Sequence, residues 1–142
     1  MTDGVVVTRL FFVLLFTLAA ALWDGASAQA APLAEEEEIL VIIRGRQFLP
    51  DTVTVHAGRK TKLVFQNQDA ELHVFMPFTL FSGVNLNISG NGAPEFGDDG
   101  FRRIIIPPDG HAELRFVLDR PSHFPFICDM PGHEMRATLV VE

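Results

Sequence analysis

A chain of 142 residues is enough for one domain and too short for two ordinary ones. Eleven lysines and arginines against 18 aspartates and glutamates leave a net charge of −7, which argues against nucleic acid as a partner. A single cysteine excludes an internal disulfide.

The first thirty residues read as a targeting segment. Arg9 precedes the apolar run "LFFVLLFTLAAAL" (Leu10–Leu22), and small residues follow at "ASA" and "AQA". A charged start, an apolar middle and a small-residue end predict a secretory signal peptide over residues 1–28, cleaved near Ala28 or Ala30. The expected location is periplasmic or secreted; the competing reading is a retained membrane anchor, which Arg9 interrupts. Residues 29–38, ending in "EEEE" (Glu35–Glu38), read as an acidic flexible leader, and residues 39–142 as the folded domain.

Helical periodicity is absent after the leader, and short β-rich runs alternate with turn residues. "ILVIIR" (Ile39–Arg44) predicts a strand, and "TVTVHAGRKTKLVFQN" (Thr52–Asn67) two strands around a turn at Ala57–Arg59. "LHVFM" (Leu72–Met76) predicts another, and "FRRIII" (Phe101–Ile106) one that stops at Pro107-Pro108. "HAELRFVL" (His111–Leu118) alternates, with Ala112, Leu114, Phe116 and Leu118 inward. "FPFIC" and "ATLVVE" complete seven to eight strands, hence an all-β antiparallel sandwich or barrel. Between Phe81 and Gly100 no strand pattern survives, so a long functional or mobile loop is expected there. Thirteen phenylalanines and no tyrosine predict a dry aromatic core.

The chemistry concentrates in "FICDMPGHEM" (Phe126–Met135), which holds Cys128, Met130, His133 and Met135. As a nucleophile, Cys128 needs a base, an orienting group and a holder for a reacting carbonyl; no local signature for the last two appears. As a small buried hydrophobe it needs no neighbours at all. As a metal ligand it offers soft thiolate beside imidazole and thioether. One Cys, two His and a distant Met select copper for electron transfer, whereas zinc ordinarily takes more thiolates or keeps a position open for water. Cys128 ends a strand, and Pro131-Gly132 makes a tight turn that brings His133 back toward the sulfur. His56, His111 and His123 flank turns and read as solvated; Met76 reads as core fill.

"FPFICDMPGHEMRATLVVE" (Phe124–Glu142) resembles the C-terminal ligand loop of the cupredoxins, the blue-copper family of plastocyanin, azurin and amicyanin. "NQDAELHVF" (Asn67–Phe75) is similar to the family's first ligand region, and "FLPDTVTVHAG" (Phe48–Gly58) to its recurrent F-x-P strand. The resemblance implies a Greek-key β-sandwich holding one mononuclear copper on His73, Cys128, His133 and Met135, with Met130 and Glu71 as other candidates for the fourth position. It implies an electron carrier, not an enzyme, acting as a monomer between redox proteins such as a c-type cytochrome or a copper oxidase or reductase. His133, near the surface and framed by Met130 and Pro131, is the expected electron exit. The chain departs from the family in having only Glu134 between His133 and Met135, and Val74 where Asn often follows the first histidine. Rival readings are a copper chaperone or storage protein, suggested by "HEM", and a red-copper-type enzyme with a carboxylate ligand.

Overall fold

The computed structural model describes residues 35–142; the expected signal peptide and most of the acidic leader lie outside them. Eleven strands run in chain order: β1 (Glu37–Ile43), β2 (Phe48–Leu49), β3 (Thr52–Val55), β4 (Lys60–Asn67), β5 (His73–Phe75), β6 (Asn87–Gly90), β7 (Ala93–Gly97), β8 (Gly100–Ile106), β9 (His111–Val117), β10 (Ser122–Ile127) and β11 (Arg136–Val141). They form one five-stranded sheet, β2-β1-β4-β9-β6, and two three-stranded sheets, β10-β11-β3 and β5-β8-β7. A pair of hydrogen bonds between Met76 and Ile127, 2.9 and 3.1 Å, joins the two small sheets edge to edge. The result is two layers. Apart from the pairs β1–β2, β7–β8 and β10–β11, successive strands cross between them, as in the expected Greek-key sandwich.

Three features differ from the sequence pattern. The Phe81–Gly100 segment contains β6 and β7, because both pair through the backbone alone. Their side chains are mostly exposed and show no apolar alternation, so nothing in the sequence marks them. The sandwich is also not antiparallel throughout: β1 runs parallel to β4, and β11 to β3. Finally β1 begins at Glu37, ahead of the apolar run, because the Glu37 carboxylate accepts from the His56 N–H, the His56 ring and the Thr61 hydroxyl at 2.7–2.9 Å.

The core is aromatic, as the composition predicts. Phe65 lies 4.3 Å from Phe75 and 5.9 Å from Phe126 between ring centroids, and Phe48 packs edge-on against Phe126 at 4.9 Å. Each fully buried phenylalanine contributes about 1.5–3 kcal/mol. This block sits under the start of β5 and the end of β10. It therefore fixes the backbone from which His73 and Cys128 project.

Candidate metal centre

The Met76–Ile127 bridge sets β5 and β10 side by side, so His73 and Cys128 meet at one end of the sandwich. Both are buried, at 0 % and 2 % exposure. Beyond Cys128 the chain turns at Pro131-Gly132; Gly132 takes φ 79°, a conformation that glycine adopts without strain. The His133 N–H donates to the Met130 carbonyl at 3.0 Å and closes the turn. The Cys128 N–H then donates to the Met135 carbonyl at 3.2 Å, where the chain re-enters the sheet at β11. The five-residue spacing from Cys128 to His133 is the length of this reversal.

The sulfur of Cys128 lies 3.4 Å from His133 Nδ1 and 4.0 Å from His73 Nδ1. The two imidazole centroids are 5.0 Å apart. One nitrogen from each histidine and the sulfur all lie within 4.8 Å of one another. Met135 is 3 % exposed beside them. This soft and intermediate donor set, converging in a dry pocket, suits one copper ion. It offers a single thiolate and a poor match to a structural zinc site.

The thiol is prepared by its surroundings. Burial is the strongest influence on Cys128 and pushes its pKa up; the Met130 and Val74 N–H groups pull in the opposite direction, and the carboxylates of Asp129 and Glu71 add to the rise. The Val74 N–H reaches the sulfur at 3.3 Å. A thiol held neutral by burial gives up its proton when a cation replaces it. Val74 thus supplies through its backbone a contact to the cysteine sulfur that its side chain cannot make.

Around the donors lies a polar shell that the sequence pattern did not disclose. Asn67, 1 % exposed, directs its side-chain amide to the carbonyls of Glu71, Pro107 and Ile106, and accepts from the Asp69 N–H at 3.0 Å. It staples the turn that leads into His73. Asp69 faces the outer nitrogen of His73, Oδ2 to Nε2 at 2.8 Å. Burial opposes ionisation of Asp69, but the Arg46 and Gly45 N–H groups, at 3.0 and 2.7 Å, and the His73 ring outweigh it and hold the carboxyl below its usual range. Arg103 ties the ligand loop to the sheet through Asp129 at 2.7 Å and Glu95 at 2.5 Å.

His133 is half-buried, its side chain 7 % exposed, with Glu71 Oε2 3.5 Å from its outer nitrogen. One sequence expectation changes here: Glu71 is misplaced for the fourth position beside the sulfur, since it addresses the Nε2 edges, away from the Nδ1 atoms that face Cys128. Met130 is half-buried, and Met76 packs against the core as expected. His56, His111 and His123 are exposed; His111 opens β9 opposite Gln66, and His123 lies in β10 opposite Val140.

The profile of the cupredoxin-like domain family matches residues 13–141, and the chain belongs to that family. Among solved structures it is similar to auracyanin A, a "blue" copper protein from the green thermophilic photosynthetic bacterium Chloroflexus aurantiacus. That likeness has 18 % identity and a TM-score of 0.57, and covers 76 % of this chain and all of auracyanin A. Amicyanin from Paracoccus versutus is similar at 20 % identity and a TM-score of 0.50, over 74 % of this chain and 81 % of amicyanin. A Cu(I) form of an amicyanin mutant gives 17 % identity and a TM-score of 0.51, over 78 % and 87 %. At these identities the likeness is one of fold. No curated protein matches the chain.

Proposed function

We propose that this protein is an exported mononuclear copper protein that carries single electrons between larger redox proteins, of the c-type cytochrome or copper oxidase and reductase kind, and is not an enzyme. The observation that carries the reading is the convergence of one ring nitrogen from each of His73 and His133 with Cys128 Sγ, all within 4.8 Å of one another, the sulfur 4.0 and 3.4 Å from the two Nδ1 atoms. These three residues would hold the ion, with Met135 the weak thioether beside them. Bound there, copper supplies one-electron chemistry.

The chain's own contribution is rigidity and dryness. His73 opens β5 and Cys128 directly follows β10, strands whose core is packed aromatic rings, so their separation is set before metal enters. The Val74 N–H donates to the sulfur at 3.3 Å, and it and the Met130 N–H stabilise negative charge there. A site that changes little between two redox states loses little energy to rearrangement, which suits a carrier. Export is supported by the charged, apolar and small-residue succession in the first thirty residues. A chaperone must hand its ion to a partner, and burial of Cys128 and His73 keeps a partner's ligands from reaching them directly.

Adding Cu(II) to the metal-free protein should give an intense visible charge-transfer band, with Cys128 as its thiolate source. Cys128→Ser should abolish the band while circular dichroism shows the fold intact. Colour that persists in the variant rules the assignment out. Fast, reversible voltammetry supports a carrier, and rapid transfer of copper to a competing chelator supports the chaperone instead.

A further inference from the structure

The turn between β1 and β2 reaches across to the metal end of the sandwich. Gly45 and Arg46 take φ 61° and 55°, both in the left-handed region, and their N–H groups are spent on Asp69. The Arg46 guanidinium forms a two-point pair with Glu71, Nε to Oε1 at 2.5 Å and Nη2 to Oε2 at 2.8 Å. The same carboxylate stands 3.5 Å from His133 Nε2 and 4.0 Å from His73 Nε2. One acidic side chain, clamped from behind, therefore addresses the outer edges of both imidazoles.

We infer that Glu71, held by Arg46, is a positioning residue for His133: it fixes the ring with its Nε2–H outward and its Nδ1 lone pair toward Cys128. The inference rests on the copper reading of the site. Its physical basis is the imidazole's division of labour. A neutral ring has one N–H and one lone pair, and an acceptor at one nitrogen decides which nitrogen is left to bind. Carboxylates behind ligand histidines also raise ligand basicity and favour the more highly charged metal state.

Energetics separate this role from a purely structural one. Arg46 and Glu71 side chains are 55 % and 36 % exposed, and exposed ion pairs add little to stability. Their removal should leave the fold alone and show itself at the histidine. His133 belongs to the eight-residue loop from Cys128 to Met135 between β10 and β11, and its ring needs an outside support. His73 does not, since Asp69 already holds it at 2.8 Å.

The test begins on metal-free protein. Nitrogen NMR of histidine rings at neutral pH should find His133 as the Nε2–H tautomer in the parent chain. Glu71→Ala should mix the two tautomers, and Arg46→Gln should do so in part although Glu71 remains. Glu71→Gln, which keeps an acceptor oxygen, should restore most of the parent signal. In copper-loaded protein, Glu71→Ala and Glu71→Gln should both lower the oxidised-to-reduced ratio at fixed potential by about two- to tenfold, tenfold being about 59 mV for one electron. An unchanged His133 tautomer in a folded Glu71→Ala protein overturns the inference. A parent chain that binds copper without a thiolate band overturns the site reading alone, and the metal-free measurement still decides this one.

Discussion

His73 and His133 face one sulfur from regions built in different ways. His73 opens a strand, is fully buried, and is backed by a carboxylate that two backbone N–H groups hold in place. His133 rides on a turn, and its outer edge is covered by a half-exposed ion pair. The first is determined by the core. The second is determined by side chains that the core does not require. One donor can therefore be altered without disturbing the fold, and the other cannot.

The largest expected effect follows from removing each ring in turn. His73→Ala opens a cavity in a packed layer and strips Asp69 of its partner. Cavity and lost hydrogen bond together should cost the metal-free protein about 2–4 kcal/mol in chemical denaturation. His133→Ala removes a loop side chain and should cost less than about 1 kcal/mol. In copper-loaded protein, external imidazole should restore the visible band to His133→Gly and not to His73→Gly, since only the former gap opens near solvent. Equal destabilisation by the two alanine variants breaks the comparison.

The same contrast explains what could be read from the sequence. Cys128, Pro131-Gly132 and His133 are neighbours in the chain, and a turn between two strands leaves them one arrangement. The alternation of β9 announced a half-buried strand with Ala112, Leu114, Phe116 and Leu118 inside, and all four are buried. His73 was reached through resemblance, since its approach to Cys128 spans 55 positions. Arg46 and Glu71 were not legible, because their contact depends on where the β1–β2 turn falls over the metal end. β6 and β7 were not legible either, since an edge strand paired by its backbone needs no apolar face. Local chemistry was visible in the sequence, and contacts made by sheet topology were not.

A control at the opposite end sharpens the comparison. Glu37 pairs with Thr61 at the start of β4, while the site lies beyond Asn67 at its end, roughly 20 Å along the strand. Burial opposes ionisation of Glu37, but the hydrogen bonds from His56 and Thr61 outweigh it and lower its pKa. A carboxyl lowered by folding stabilises the fold above its ordinary range, and that contribution disappears as pH falls through the folded value. Glu37→Gln should therefore cost about 1 kcal/mol at neutral pH and less in acid, flattening the acid side of the stability profile. The copper band and potential should not move. A shift in either means the two ends of β4 are coupled.

The smallest effect on stability, and the sharpest on the site, concerns the two methionines. Met135 is 3 % exposed and its carbonyl is bonded to the Cys128 N–H, so its backbone is held by the entry to β11. Only Glu134 separates it from His133, which constrains the thioether and should give a perturbed spectrum in place of a purely blue one. Met130 is half-buried, and its backbone serves the turn: its carbonyl accepts from the His133 N–H, and its own N–H lowers the pKa of Cys128. Leucine conserves the volume of either side chain, and each swap should change stability by less than about 1.5 kcal/mol. Loss of a weak axial thioether favours the reduced ion, since the axial ligand tunes the potential. Met135→Leu should raise the potential and keep the main band, and Met130→Leu should change neither, because its contribution is backbone. If voltammetry instead finds the shift in Met130→Leu, the thioether comes from the turn itself. The region that positions His133 then also supplies the fourth donor, and the strand-held half of the site is reduced to His73 and Cys128.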